Sequence, residues 1–177
     1  KTVSNVMLAA MLGFMLLQPA MGALSDRIGR RKCLLLFSGM TALGVEPTNI
    51  ARIAREENGI DTIQSFFTED LARQIVKDRG KAKVITATNV FAHMNSLGEV
   101  LRGICQLLDR DGVFITESHY LLDVIEKTQF DTVYHEHIRT YSLKSLVVLA
   151  KQYGLEVFDV QRADRYGGNI RAYLCRA

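Results

Sequence analysis

The chain has 177 residues, the length of one domain or of one domain with an appended segment. Its net charge of +3 arises in the first 43 residues, which hold five basic residues and one acid, whereas the remainder holds 17 basic and 18 acidic residues. The basic balance therefore gives no sign that the body binds nucleic acid, and no nucleic-acid partner is predicted. Three widely separated cysteines, Cys33, Cys105 and Cys175, favour buried free thiols over disulfides or zinc ligands, and no metal site is predicted.

Residues 6–24 form an uncharged, apolar run of 19 residues. This is the minimum length that crosses a hydrocarbon core of about 30 Å. Two other interpretations are a secretory signal peptide ending near "PAMGA" and a buried helix of a soluble fold. The basic cluster that follows, Arg27 to Lys32, is typical of the cytoplasmic end of a span. We expect one helix over residues 6–24, a turn over 25–31 and membrane association through the helix.

Strands and helices alternate from residue 44 to the end. The predicted strands are LGVEP, DTIQSFF, AKVITATNVF, DGVFITESHYL (entered through a turn at Asp111–Gly112), LEVFDVQRA and NIRAYLCRA. The predicted helices are NIARIAREE, TEDLARQIVKDRG, SLGEVLRGICQLL and SLKSLVVLAKQYG. This alternation indicates an α/β fold with a mostly parallel sheet and helices on both faces.

The helix limits rest on capping residues and on the spacing of apolar residues. Thr68 and Ser142 are predicted N-caps, and Gly80 and Gly154 are predicted to end the same two helices. The helix between them is amphipathic, and its predicted buried face consists of Leu97, Val100, Leu101, Ile104, Leu107 and Leu108.

The polar residues near strand ends are candidate functional groups because open α/β sheets bind ligands there. Glu46 ends the first strand, where an acid either accepts hydrogen bonds from a nucleotide ribose or lies exposed before the next helix. His93, His135 and His137 flank strand ends or the following loop. They are surface residues, catalytic bases or, for the last two, a pair of metal ligands that lacks a third ligand at a usual spacing.

The segment "GALSDRIGRRK" resembles the loop between the second and third membrane helices of major facilitator superfamily transporters. The shared positions are Gly22, Leu24, Asp26, Arg27, Gly29, Arg30 and Arg31. The sequence around these positions is most similar to that of the metabolite:proton symporter branch. The resemblance covers residues 1–43, whereas a transporter of this family needs about a dozen spans, so we do not expect transport.

A second resemblance covers residues 44–177. The segments LGVEP, VITATNVFAH, GVFITE, FDTVYHEHIRTYSL, GLEVFDV and GGNIRAYL are similar, in order and spacing, to those of S-adenosylmethionine-dependent C-methyltransferases acting on nucleotide-linked deoxysugars. It implies a Rossmann-like class I methyltransferase sheet, S-adenosyl-L-methionine as cofactor and a nucleotide-linked keto-sugar as substrate. It further implies His137 as general base, His93, Tyr134 and Glu136 around the sugar, Glu46 on the cofactor ribose and Asn89 near the cofactor.

The two resemblances meet at residues 42–45, where the glycine-rich first strand–helix unit of a methyltransferase is missing. Too few residues separate "CLLLF" from "LGVEP" for a parallel crossover, which takes about a dozen. We therefore expect an incomplete methyltransferase sheet preceded by one or two apolar helices, cytoplasmic and impaired in activity. The alternatives are an inactive membrane-anchored remnant and a dehydrogenase-like nucleotide binder, although the chain contains no GxGxxG.

Overall fold

The computed structural model describes residues 42–177. The predicted helix over residues 6–24, the turn over 25–31 and Cys33 lie outside this range. Within residues 42–177 no helix is both long and apolar enough to cross a membrane. Cys105 and Cys175 are free thiols, as predicted, but both are half-buried rather than buried.

The described residues divide into two compact units, which meet between Gln64 and Ser65. In the first unit, strand β1 (Gly44–Val45) pairs in parallel with β2 (Thr62–Ile63), and helix α1 (Ile50–Glu56) connects them. Gly44 lies directly opposite Thr62, whose hydroxyl would lie 2.8 Å from any Cβ at position 44. This close approach explains why glycine suits the start of β1. The predicted strand DTIQSFF is reduced to the two residues of β2.

The second unit holds a four-stranded sheet and four helices. Its strands are β3 (Ala82–Thr88), β4 (Leu108–His119), β5 (Leu155–Ala163) and β6 (Asn169–Arg176). Its helices are α2 (Glu69–Arg79), α3 (Leu97–Leu107), α4 (Leu121–Glu126) and α5 (Leu143–Gln152), with single 3₁₀ turns at Phe91–His93 and Phe130–Thr132. The predicted α/β class is confirmed.

The sheet has the strand order β3–β4–β6–β5. β3 and β4 are parallel, with Thr88 opposite Glu117, whereas β6 runs antiparallel to both of its neighbours. β5 therefore points the same way as β3 and β4. Because β6 starts beside the end of β4, pairing Asn169 with His119, one edge of the sheet collects the ends of β3 and β4 and the beginning of β6.

Helix α3 supplies much of the core of this unit. All six residues of its predicted apolar face are buried, and five of them belong to one cluster with Phe91, Phe114 and Leu174. The predicted caps of the flanking helices are also present, since the hydroxyl of Thr68 accepts from the N–H of Leu71 and that of Ser142 from the N–H of Ser145. Burial of the apolar side chains on this face of α3 stabilises the unit by roughly 1.5–3 kcal/mol each.

Three sequence predictions differ from the structure. β4 is continuous from Leu108 through Gly112, so the predicted turn at Asp111–Gly112 is wrong; Gly112 is buried against the carbonyl of Ala82, where a side chain would not fit. The predicted strand AKVITATNVF stops at Thr88 because Asn89 adopts a left-handed backbone (φ 54°). Helix α4 was not predicted, since its six residues carry no recognisable cap.

We expect Gly168→Ala to destabilise the protein by about 3 kcal/mol or more. Gly168 has φ +135°, and a Cβ there would lie 2.5 Å from Cγ of Asp123, a buried carboxylate paired with Arg162 and Lys127. Chemical denaturation measures the loss. Gly80→Ala is the matched control, because Gly80 also has a positive φ (+83°) but open space around it; that substitution costs about 1 kcal/mol. Equal losses in the two variants would contradict the role of the Asp123 contact.

Candidate functional site

A buried polar network joins the ends of β3 and β4 to the start of β6. Asn169, fully buried, donates both hydrogens of its side-chain amide, one to Oδ1 of Asn89 (3.1 Å) and one to Oε1 of Glu117 (3.0 Å). The other carboxylate oxygen of Glu117 accepts from Nε (2.8 Å) and Nη2 (2.6 Å) of Arg171. Since the oxygen of the Asn89 amide is engaged inside the network, its NH₂ group is the part left to donate to a ligand.

The network holds Glu117 ionised although the residue is only 1% exposed. Burial acts to raise the pKa of Glu117, but the hydrogen bonds from Asn169 and Arg171 and the positive charge of Arg171 outweigh it, so the pKa lies below its ordinary value. The backbone of Glu117 also accepts from the N–H of Asn89 (2.8 Å), which fixes the turn after β3. This sheet edge is therefore rigid and polar.

Two chain segments outside the sheet are tied together above this edge. The turn of residues 91–95 follows β3, and the segment of residues 130–141 follows α4. Tyr141 donates its hydroxyl to the carbonyl of Phe91 (3.3 Å), and the guanidinium of Arg139 donates to the carbonyls of Met94 and Asn95. These bonds bring the histidines of the two segments together.

His137 is held in one orientation and one neutral tautomer. Its Nδ1 lies 2.7 Å from the backbone carbonyl of Thr132. A carbonyl oxygen can only accept, so Nδ1 carries the proton and Nε2 of the neutral ring keeps its lone pair. The hydroxyl of Tyr134, 3.3 Å away, donates to that Nε2. The ring of His137 is therefore arranged as a hydrogen-bond acceptor and proton acceptor.

His93 and His119 lie on either side of His137. The ring centroids of His93 and His137 are 4.8 Å apart, and those of His119 and His137 are 5.0 Å apart. His93 donates from Nδ1 to the backbone carbonyl of Glu136 (2.9 Å), which links the two segments once more. The three imidazoles thus form one cluster at the carboxyl end of β4.

His119 is a site residue that the sequence prediction missed. Burial lowers its pKa below the ordinary value, the positive charges of His137 and His93 when protonated add to this, and a hydrogen bond to the backbone of Tyr166 partly offsets it. His119 is therefore neutral at neutral pH. Its position at the end of a predicted strand could have identified His119 as a candidate. The strand register that brings Asn169 beside it is not visible in the sequence.

The other predicted residues of this segment take different positions. Residues 134–137 form a turn, closed by the N–H of His137 on the carbonyl of Tyr134 (3.0 Å), and not a strand. The side chain of Glu136 is exposed, and its contribution to the cluster is the backbone carbonyl that His93 uses. His135 is exposed and packs edge-on against the ring of Tyr134. Within residues 42–177 no group of His, Cys, Asp or Glu could hold a metal ion.

Glu46 lies in the first unit, directly after β1. Its Oε1 accepts from the backbone N–H (2.9 Å) and the hydroxyl (2.6 Å) of Thr48, and its own N–H donates to the carbonyl of Ile63 (3.0 Å). The carboxylate is thus pre-oriented at the end of a parallel strand. Both bonds from Thr48 use the same oxygen, so that, among residues 42–177, Oε2 is left for another donor.

Comparison with known proteins places this arrangement among methyl-transferring enzymes. A family model described as a methyltransferase domain matches residues 28–160. The chain is 38% identical over 141 residues to the C-methyltransferase NovU of Streptomyces niveus, which covers 79% of this chain and 33% of that protein. The chain therefore spans about a third of the length of this curated relative.

Two further similarities concern the fold and a short segment. An S-adenosylmethionine-dependent methyltransferase from Anabaena variabilis superposes with a TM-score of 0.58 at 13% identity, covering 76% of this chain and 68% of that one. A segment of 44 residues is 50% identical to the alpha-ketoglutarate permease of Escherichia coli strain K12, which is 25% of this chain and 10% of the permease. The first agrees with the predicted Rossmann-like sheet, and the second with a transporter-like segment.

We expect Glu117→Gln to lower the free energy of unfolding at pH 7 by about 2–3 kcal/mol, because it replaces the buried carboxylate that pairs with the half-buried guanidinium of Arg171 by a neutral amide. The pKa of Glu117 is depressed in the folded state, so its contribution is full above the unfolded value of about 4.3 and is lost as the pH falls through the folded value. The stability of the variant should therefore depend less on pH between about 5 and 3. Urea denaturation across this range measures both effects. Glu156→Gln, an exposed acid on β5, is the control, and an equal loss there would contradict the account.

Proposed function

Because the chain belongs to the S-adenosylmethionine-dependent methyltransferase family, we propose that it transfers a methyl group to the carbon beside a keto group of a nucleotide-linked sugar. The observation that carries this proposal is the lone pair of His137 Nε2, fixed by the bond from Nδ1 to the Thr132 carbonyl. A base of this kind has no use in methyl transfer to a sulfur or an already nucleophilic nitrogen. It is needed where a proton must be removed from the acceptor atom, as it must from a C–H beside a keto group.

The residues present fit the ribose part of the cofactor. The carboxylate of Glu46, held by Thr48 through Oε1, would accept from the ribose hydroxyls. The NH₂ group of Asn89, whose oxygen is engaged by Asn169, would donate to the cofactor. When bound, S-adenosylmethionine supplies an electrophilic methyl group.

The proton-transfer step follows from the geometry around His137. An ordinary sugar C–H is far too weak an acid, but a neighbouring keto group makes the proton removable through an enolate. Nε2 of His137 takes that proton, and the resulting imidazolium is stabilised by the Thr132 carbonyl at Nδ1. An imidazole suits this role because its ordinary pKa is close to neutral pH.

Neighbouring side chains orient the base and the sugar. The hydroxyl of Tyr134 donates to Nε2 in the free site and is released to bind the enolate oxygen when the substrate enters. His93 contacts the substrate from the turn that follows β3, and Glu136 holds His93 through its backbone carbonyl. We further propose that complete methyl transfer by this chain is slow, because a glycine-rich loop for the methionine end of the cofactor is missing from its sequence.

We expect His137→Ala to lower turnover by roughly 10²–10⁴-fold and to abolish deuterium exchange at the substrate carbon. The exchange is measured in D₂O by NMR on a nucleotide-linked keto-sugar, with the full chain. Deuterium exchange requires the base and the substrate but no methyl transfer, so the exchange remains measurable if turnover is slow. His135→Ala is the matched control, since His135 is exposed and lies two residues away. Exchange that survives in His137→Ala and disappears in His135→Ala would show that the base is assigned wrongly.

We expect Glu46→Ala to weaken S-adenosylmethionine binding tenfold or more, measured by calorimetry. A carboxylate that accepts from ribose hydroxyls makes charge-assisted bonds of roughly 1.5–3 kcal/mol. Glu56→Ala is the control, because Glu56 lies on the same unit and pairs with Arg52 on the exposed side of α1. Unchanged affinity in Glu46→Ala would remove Glu46 from the cofactor site.

A further inference from the structure

The three imidazoles of the cluster share one feature that the proton-removal step does not explain. Each has one ring N–H committed to a backbone carbonyl. His137 donates to Thr132 (2.7 Å) and His93 to Glu136 (2.9 Å). The ring of His119 is hydrogen-bonded to the backbone of Tyr166, and because this bond favours the protonated ring, His119 is the donor.

An imidazole whose single proton is committed in this way offers only a lone pair at its other nitrogen. The rings lie 4.8 Å and 5.0 Å apart, so the three lone pairs belong to one region of the site. The hydroxyl of Tyr134 already donates to one of them. The cluster therefore presents acceptors and is complementary to a ligand rich in donors.

Two kinds of ligand satisfy several imidazole lone pairs, namely a metal ion and a compound with several hydroxyl groups. The first is disfavoured, because the described residues contain no group arranged to hold a metal ion. The second fits the substrate of the proposed function, on which this inference rests. A sugar of this kind carries hydroxyl groups on its ring.

We propose that His119 is a specificity-determining residue that contacts the substrate and accepts a hydrogen bond from one sugar hydroxyl. Its half-buried ring, at the last residue of β4, lies beside the proposed base, with its centroid 5.0 Å from that of His137 and 6.4 Å from that of Tyr166. A neutral acceptor in this position recognises a hydroxyl group and rejects a sugar that has lost it, since the lone pair would then be buried without a partner.

The test is equilibrium binding of a nucleoside-diphosphate-linked keto-deoxyhexose and of analogues in which each hydroxyl is replaced in turn by fluorine, which cannot donate. Wild-type protein should bind one analogue about five- to tenfold more weakly than the parent. His119→Phe should bind the parent and that analogue equally, whereas His119→Gln, which keeps an acceptor oxygen, should retain part of the discrimination. Full discrimination by His119→Phe would overturn the proposal, as would stoichiometric Zn²⁺ retained by wild type and lost in His119→Gln.

A second measurement uses the wild-type protein alone, so it does not depend on whether a variant folds. The chain has four histidines, so imidazole ¹⁵N spectra of the wild-type protein can be assigned completely. Sugar binding should change the shift of the unprotonated nitrogen of His119, and His135 serves as the internal control. No change at His119 on saturation would overturn the proposal. If the sugar binds in this way but no deuterium exchange occurs, the proposed function fails and the assignment of His119 stands.

Discussion

The ion pair between Glu117 and Arg171 is the interaction on which the site depends. It lies where β4 meets β6, and through Asn169 it reaches Asn89 at the end of β3. A buried carboxylate is costly unless its oxygens are all engaged, and here both are. The pair therefore fixes three strand ends at once. His119, two residues after Glu117 on β4, takes its position from the same pairing of strands.

The second determinant is the use of backbone carbonyls to set imidazole tautomers. The carbonyls of Thr132 and Glu136 belong to a segment without regular strands or long helices, which Arg139 and Tyr141 attach to the turn after β3. Backbone acceptors are fixed by chain geometry and do not change with pH. This arrangement lets the side chains of the cluster remain available for a ligand while their orientation is set by the main chain.

The features that sequence predicts well here are local. Thr68 and Ser142 cap helices through bonds to residues three positions away, and the face of α3 is a pattern within a dozen residues. The network of Glu117 is different, because its hydrogen bonds join pairs of residues that are separated along the chain by 52, 54 and 80 positions. It also requires an antiparallel strand inserted between two parallel ones. His119 was missed for this reason. Tyr134, Glu136 and His137 were identified through the family resemblance and not through spacing.

The most direct test of the account is the position of the methyl group that the protein transfers. The full chain, in stoichiometric amount so that slow turnover suffices, is incubated with ¹³C-methyl S-adenosylmethionine and a nucleotide-linked keto-sugar, and the product is analysed by NMR. The account predicts a labelled methyl group bonded to the carbon beside the keto group, with loss of one C–H at that carbon. Label on a sugar oxygen, or no labelled sugar while both ligands are bound, would contradict it.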